Sequence, residues 1–236
     1  MSTPLFRLNP SVMSTVLWQD VFSELDLERA AVCSRLALAW QACEGTRAKM
    51  AYNTGSISPS TGLALYALAR RLAPRTVFEV GTFIGKSTVA IALGLEDAGA
   101  REATVYTCDL SNDFHLAHPG PTRIVGFPRK NSTQALTEAA AQGAQVDLFH
   151  LDGRLAEADL ALVQRIARPN AVFAIDDFEG GEKGVANVAL LRTQPALRGH
   201  ILAYPPDRQL LAAFGLHSRC LTAVLLPAAS FGFTSQ

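Results

Sequence analysis

Thr76-Val77-Phe78-Glu79-Val80-Gly81-Thr82-Phe83-Ile84-Gly85-Lys86-Ser87 is the stretch on which the fold turns. Its first five residues are β-branched or aromatic around one acid, the composition of a buried strand. Gly81 and Gly85 follow, and then Thr88-Val89-Ala90-Ile91-Ala92 opens a helix. Strand, glycine turn, helix is the first half of a strand–helix–strand unit. The turn has two readings. Gly85-Lys86-Ser87 fits the tail of a phosphate-binding loop, but Val80 stands where its leading glycine should be, so the loop is one residue short. In the dinucleotide turn, G-x-G-x-x-G, Phe83 replaces the middle glycine and would crowd a pyrophosphate. A nucleoside without phosphates would tolerate it.

Outward from this turn the pattern repeats. Strands are expected at Thr76–Val80, Thr104–Asp109, Thr122–Phe127, Val146–Leu151, Ala171–Ile175, His200–Tyr204 and Leu221–Leu226. Helices are expected between most of them, at Lys86–Ala98, Thr133–Gln142, Ala156–Ala167 and Gly184–Thr193. Near-continuous apolar strands separated by helices imply a parallel sheet covered on both faces. The last two strands have only a weak helix between them and could pair as a hairpin. The expected fold is therefore α/β: a Rossmann-like, doubly wound, mostly parallel seven-stranded sheet with helices on both faces and an antiparallel C-terminal strand. Residues 1–50 read differently, as two helices, Trp18–Arg29 and Ala30–Lys49, forming an N-terminal extension that serves as a lid or a dimer contact; residues 51–236 form the main domain.

Composition limits the function. The 236 residues hold 21 Lys+Arg and 21 Asp+Glu, a net charge of zero, which argues against a nucleic-acid partner. With 49% hydrophobic and 18% charged residues the chain has ample apolar surface for a core. No run reaches the length of a membrane span, and the N-terminus has no signal pattern. Cys33, Cys43, Cys108 and Cys220 form no C-x-x-C pair and read as reduced thiols of a cytoplasmic protein.

Ligands of such sheets bind beyond the carboxyl ends of the strands, so the residues there carry the functional signal. The second strand ends in Asp109, 28 residues after Gly81, where an acid can accept from both ribose hydroxyls; the alternative is a cap of the turn that follows. The fourth ends in Asp152 and the fifth in Asp176-Asp177. Three neighbouring carboxylates need a cation or hydrogen-bond donors to offset their repulsion, and a divalent metal such as Mg2+ is one solution. The other is that Asp152 touches the ligand while Asp176 or Asp177 caps a helix. His150 shares a strand face with Asp152 and reads as a core histidine. His115 and His118 follow the second strand and are candidate bases near neutral pH.

The ordered set FEVGTFIGKSTVAIA, VYTCDLS, VDLFHLDGR and VFAIDDFEGG resembles class I S-adenosylmethionine-dependent methyltransferases, closest to the catechol-type and macrolide or sugar O-methyltransferase branches, over about residues 52–226. The resemblance implies that Glu79, Gly81, Thr82, Phe83, Gly85 and Ser87 surround the methionine part of S-adenosylmethionine. It implies that Asp109 takes the ribose, that the Asn131-Ser132-Thr133 stretch borders the adenine, and that Thr54 and Ser56 lie on a segment closing over the cofactor. It places metal ligands on Asp152, Asp176 and Asp177. It also exposes a departure. The catechol-type branch often carries a lysine base shortly after the fourth-strand acid, and a related branch a histidine three residues after it; here Arg154 and Leu155 stand there. Arginine stays protonated and is no ordinary base, leaving Asp152, His115 and His118 as catalytic candidates. The expected activity is methyl transfer to a small-molecule acceptor, most simply at oxygen, by a protein that could form a homodimer. A cofactor-binding protein without turnover and a nucleotide hydrolase using Lys86 and Asp176 are the alternatives.

Overall fold

The computed structural model describes residues 10–25, 28–50, 55–110, 118, 120–197 and 199–227. Its order is α1 (Pro10–Ser23), α2 (Arg29–Thr46), α3 (Pro59–Leu72), β1 (Thr76–Val80), α4 (Lys86–Asp97), β2 (Thr104–Asp109), β3 (Arg123–Pro128), α5 (Ser132–Ala141), β4 (Val146–Leu151), α6 (Asp159–Ile166), β5 (Ala167–Ile175), α7 (Lys183–Leu191), β6 (His200–Ala203), α8 (Arg208–Ala213) and β7 (Ala223–Pro227). The strands form one sheet in the order β3-β2-β1-β4-β5-β7-β6. β7 runs antiparallel to both neighbours, and the other pairings are parallel. The fold is the mostly parallel, seven-stranded arrangement that the sequence predicts.

Alternation along the strands builds two cores. Val77, Val105, Leu148 and Val172 face a layer that includes residues of α1 to α4. Phe78, Tyr106, Phe149 and Phe173 face a layer with residues of α5, α6 and α7. Phe149 and Phe173 stack with ring centroids 4.7 Å apart. The order reverses between β1 and β4, and the crevice there is where this architecture places a ligand.

Three elements start three or more residues from the expected position. The first helix begins at Pro10, not Trp18, because Pro at the first helical position costs nothing and Met13, Leu17, Trp18, Val21 and Phe22 give it a continuous buried stripe. α6 starts at Asp159, not Ala156. The Asp159 carboxylate accepts from the Ala156 amide at 2.7 Å and from the Ser132 and Thr133 hydroxyls, which ties the preceding residues into a turn. β5 begins at Ala167, joined to β4 through an irregularity between Val146 and Leu148.

The N-terminal helices share the core of the main domain. Trp18 and Phe22 are fully buried and stack at 5.6 Å. Burial of such side chains contributes about 1.5–3 kcal/mol each. Trp18 Nε1 donates to the Tyr204 carbonyl at 2.7 Å, joining α1 to the end of β6. Trp40 Nε1 donates to the Lys86 carbonyl at 3.0 Å, setting α2 over the first turn of α4.

Candidate active site

A cavity of about 800 Å3 opens at the carboxyl ends of β1, β2, β4 and β5. Among the residues predicted from the sequence, Ser56, Gly81, Phe83, Asp109, Ser132, Asp152, Asp176 and Asp177 line it. Thr54 and His115 lie outside the described residues.

The β1 turn is shaped by backbone. Gly81 has φ +100°, and a Cβ there would stand 2.9 Å from the Asp152 carbonyl carbon. Only glycine permits this close crossing of the β1 and β4 ends. Phe83 also adopts a left-handed conformation, φ +44°. Its amide donates to Asp109 Oδ2 at 2.7 Å, so the acid that ends β2 also fixes the turn after β1. The Phe83 ring packs with Cys43, Ile84 and Val89, under the Arg47 guanidinium at 5.0 Å. The ring that would crowd a pyrophosphate is thus part of the wall.

Four predicted cofactor contacts sit behind that wall. Glu79, Thr82, Gly85 and Ser87 are not among the lining residues. Gly85 caps α4 with φ +84°. The Thr82 hydroxyl bonds that of Thr107. Glu79 is fully buried; it receives the hydroxyls of Thr107, at 2.6 Å, and Thr88, and pairs with His150 Nδ1 at 2.9 Å. Burial alone would raise the Glu79 carboxyl. Hydrogen bonds from His150, Ser87 and Thr107 outweigh it and hold the group below the usual range. Burial would likewise lower His150, and Glu79 raises it instead. The pair is a buried support for the β1–β4 seam, one residue behind Val80 and two behind Asp152. Glu79 and its neighbour Val80 point to opposite faces of the strand, and it is Val80 that lines the cavity.

Ser132 lines the cavity, but its hydroxyl is engaged by Asp159 Oδ2 at 2.6 Å. Asn131 caps α5 in a reciprocal pair with Gln134.

His118 is a correction. Its Nε2 lies 2.5 Å from Glu96 Oε1, near the last turn of α4. That end of the helix is remote from the strand ends that form the cavity, and His118 is not among the lining residues. Among the described residues, this imidazole lies apart from the cavity.

The three acids come together as predicted: ligand oxygens of Asp152, Asp176 and Asp177 all lie within 4.8 Å of one another. Sequence reasoning missed their partner. Lys183 Nζ stands 2.8 Å from Asp152 Oδ1 and 3.0 Å from Asp177 Oδ2. Asp176 receives the Thr222 hydroxyl at 3.1 Å. Burial and the neighbouring Asp176 push the Asp152 carboxyl up from 3.8 to about 6, against the pull of Lys183. Burial raises Asp176 as well. Burial would lower Lys183, but Asp152 and Asp177 outweigh it and keep it an ammonium. The donor set alone suits a hard divalent ion. The ammonium already lies within hydrogen-bond distance of two of the three acids, so the cluster's charge is offset without an ion, and an ion on these oxygens would have to displace it. With Lys183 in place the residues do not fit a divalent ion.

The loop-like tail Gly85-Lys86-Ser87 is likewise committed elsewhere. Lys86 Nζ pairs with Glu44 Oε1 at 2.5 Å and sits 5.5 Å from the Trp40 ring centre. A phosphate-binding lysine would have to leave both, so the geometry disfavours nucleotide hydrolysis.

Residues 78–178 match a family described as a methyltransferase domain. Among solved structures the chain is similar to the O-methyltransferase from Bacillus cereus in complex with SAH, at 15% identity and a TM-score of 0.55, covering 82% of this chain and 90% of that one. It is also similar to the O-methyltransferase TomG from Streptomyces achromogenes, involved in tomaymycin synthesis and solved with SAM, at 18% identity and a TM-score of 0.53, covering 81% and 89%. Comparison with curated proteins gives no match. The fold is that of these methyltransferase structures, and the stretch that forms most of the cavity matches the methyltransferase domain. The matched stretch runs from β1 to just beyond β5 and contains Gly81, Asp109, Asp152, Asp176 and Asp177.

Proposed function

We infer that the protein transfers the methyl group of S-adenosylmethionine to an oxygen of a small-molecule acceptor. The observation that carries this reading is that the Gly81 turn, Asp109 and the Asp152 cluster line one cavity. Its volume, about 800 Å3, falls in the range of roughly 300–1,000 Å3 usual for small-ligand pockets. The structural neighbours, both O-methyltransferases, support oxygen as the acceptor atom.

S-adenosylmethionine, when bound, supplies a methyl already activated on a sulfonium, so the protein's task is chiefly alignment. Asp109 binds the ribose hydroxyls while holding the Phe83 amide. Gly81 leaves room at the β1–β4 crossing. Ser132 and Asn131 border the adenine end. Asp152 takes the acceptor's proton; a carboxyl pushed up to about 6 by burial and Asp176 suits that role at neutral pH. No described helix is long and apolar enough to cross a membrane. All four cysteines are free thiols, in keeping with a cytoplasmic setting. Val12 and Val16 on α1 and Leu38 on α2 are exposed and support a homodimer contact through the N-terminal helices.

Calorimetric titration with S-adenosylhomocysteine tests the reading. Micromolar or tighter binding is expected, followed by transfer of labelled methyl to a member of a panel of phenols and alcohols. A protein that folds and binds no S-adenosylhomocysteine would overturn it.

A further inference from the structure

Three features converge on the first turn of α7. Lys183 is its first residue, and a positive charge there works against the helix dipole. Only strong local partners keep it there, and Asp152 and Asp177 are those partners, at 2.8 and 3.0 Å. The second feature is the close approach that brings them together. A Cβ on Gly184 would stand 2.2 Å from the Asp176 carbonyl oxygen and 2.8 Å from the Asp177 carbonyl carbon, so only glycine lets α7 begin directly against the end of β5. The third lies one turn along the same helix face. Asn187 donates to the Gly153 carbonyl at 2.8 Å and accepts from the Leu155 amide at 3.0 Å, locking α7 to the loop that follows Asp152. Asp177 itself is a non-glycine residue in the left-handed region, φ +52°, held in that conformation beside the helix start. The lysine is therefore not a surface side chain that happens to fold inward; the backbone around it is arranged to deliver it.

We propose that Lys183 is the resident cation of the acceptor site and that Asp152, Asp176 and Asp177 form an ion-pair cluster closed by it, so that this protein binds no divalent metal there. The proposal rests on the methyl-transfer reading above, since it assigns the cation of that same cavity. A lysine ammonium has three donors. Two are directed to Asp152 and Asp177, and the third remains for a group brought into the cavity. Where a divalent ion would offer an acceptor several open coordination positions, the lysine offers one N–H.

The test is a calorimetric titration of MgCl2 into metal-stripped protein preloaded with S-adenosylhomocysteine. Three proteins are compared: the parent, Lys183→Met, and Lys183→Met combined with Asp152→Asn. The parent is expected to show no saturable Mg2+ uptake. Lys183→Met removes the ammonium and leaves three carboxylates without it; a one-to-one Mg2+ site at least about tenfold tighter than any in the parent is expected. Asp152→Asn should abolish that gained site. A parent that takes Mg2+ as tightly as Lys183→Met overturns the proposal. So does a Lys183→Met protein that loads S-adenosylhomocysteine normally yet gains no Mg2+ site. Should Lys183→Met fail to fold, the parent decides alone: saturable uptake overturns the proposal and its absence upholds it. Failure of the parent to load S-adenosylhomocysteine is a separate result and sinks the methyl-transfer reading itself.

Discussion

Asp109 has two tasks in this structure, and two substitutions separate them. Its carboxylate is nearly buried, at 4% exposure, and accepts the Phe83 amide at 2.7 Å. The same group lines the cavity at the end of β2, where the ribose is expected. Asp109→Ala removes both. Leaving the buried Phe83 amide without its acceptor costs about 1–3 kcal/mol of fold stability. Loss of a charge-assisted hydrogen bond to a ribose hydroxyl costs about 1.5–3 kcal/mol of binding, which is roughly 10- to 150-fold in dissociation constant. Asp109→Asn keeps an oxygen for the Phe83 amide but loses the charge. It should melt close to the parent and still bind S-adenosylhomocysteine about tenfold more weakly. The assay is calorimetric titration with S-adenosylhomocysteine on all three proteins, with a thermal melt of each. If both variants bind within about threefold of the parent, the ribose assignment is wrong. If Asp109→Asn melts as low as Asp109→Ala, the Phe83 bond is not what the acid contributes to the fold.

The other predictions address the turn, the lysine and the acid cluster. Gly81→Val should fail to fold cooperatively, because its Cβ meets the Asp152 backbone before it meets any ligand; a well-folded variant in far-UV circular dichroism with a sharp melt would contradict the crossing described. Lys86 is engaged with Glu44 and Trp40, so the parent should show no ATP binding by calorimetry. Micromolar ATP affinity lost in Lys86→Ala would restore the nucleotide-hydrolase alternative. The Asp152 carboxyl is raised from 3.8 to about 6 in the folded state, so the native protein holds that proton more tightly than the unfolded chain does. This group's contribution to stability therefore falls as pH rises from about 4 to about 6 and stays low above that, by about 1–3 kcal/mol. Asp152→Asn should flatten that slope and stabilise the fold at pH 7.5, as read by urea unfolding at pH 4.5 and 7.5; a variant less stable than the parent at pH 7.5 would refute the assigned direction.

The fold was legible because its signals are local. β1, β2 and β4 lie at the predicted residues, since each is a short β-branched or aromatic run closed by a glycine or an acid. The antiparallel β7 followed from the weak helix before it, which is the six-residue α8 capped by Asp207. Where the reading slipped, a distant contact decides. Ser132 and Thr133 donate to Asp159 from 27 and 26 residues away and set the start of α6. No periodicity within 156–167 carries that information.

The site divides along the same line. Gly81, Asp109, Asp152 and Asp176 were readable because each stands at the end of its own strand, and a parallel sheet brings strand ends together whatever the side chains do. What balances their charge was not readable. The sequence posed the question: three neighbouring acids require a cation or hydrogen-bond donors. It offered a divalent ion as one solution and singled out no basic side chain. The answer lies six residues beyond Asp177, on the helix rather than the strand. It depends on Gly184 admitting α7 against the β5 end and on Asn187 holding the β4 loop one turn further on. Each of those residues is unremarkable in the sequence. Together they fix the start of a helix to within hydrogen-bond distance of two strands, and that turns an ordinary lysine into the charge partner of the site. A cluster of acids in a sequence is thus a statement about charge that something must neutralise; whether a side chain or an ion does so is decided by how closely the next helix can approach.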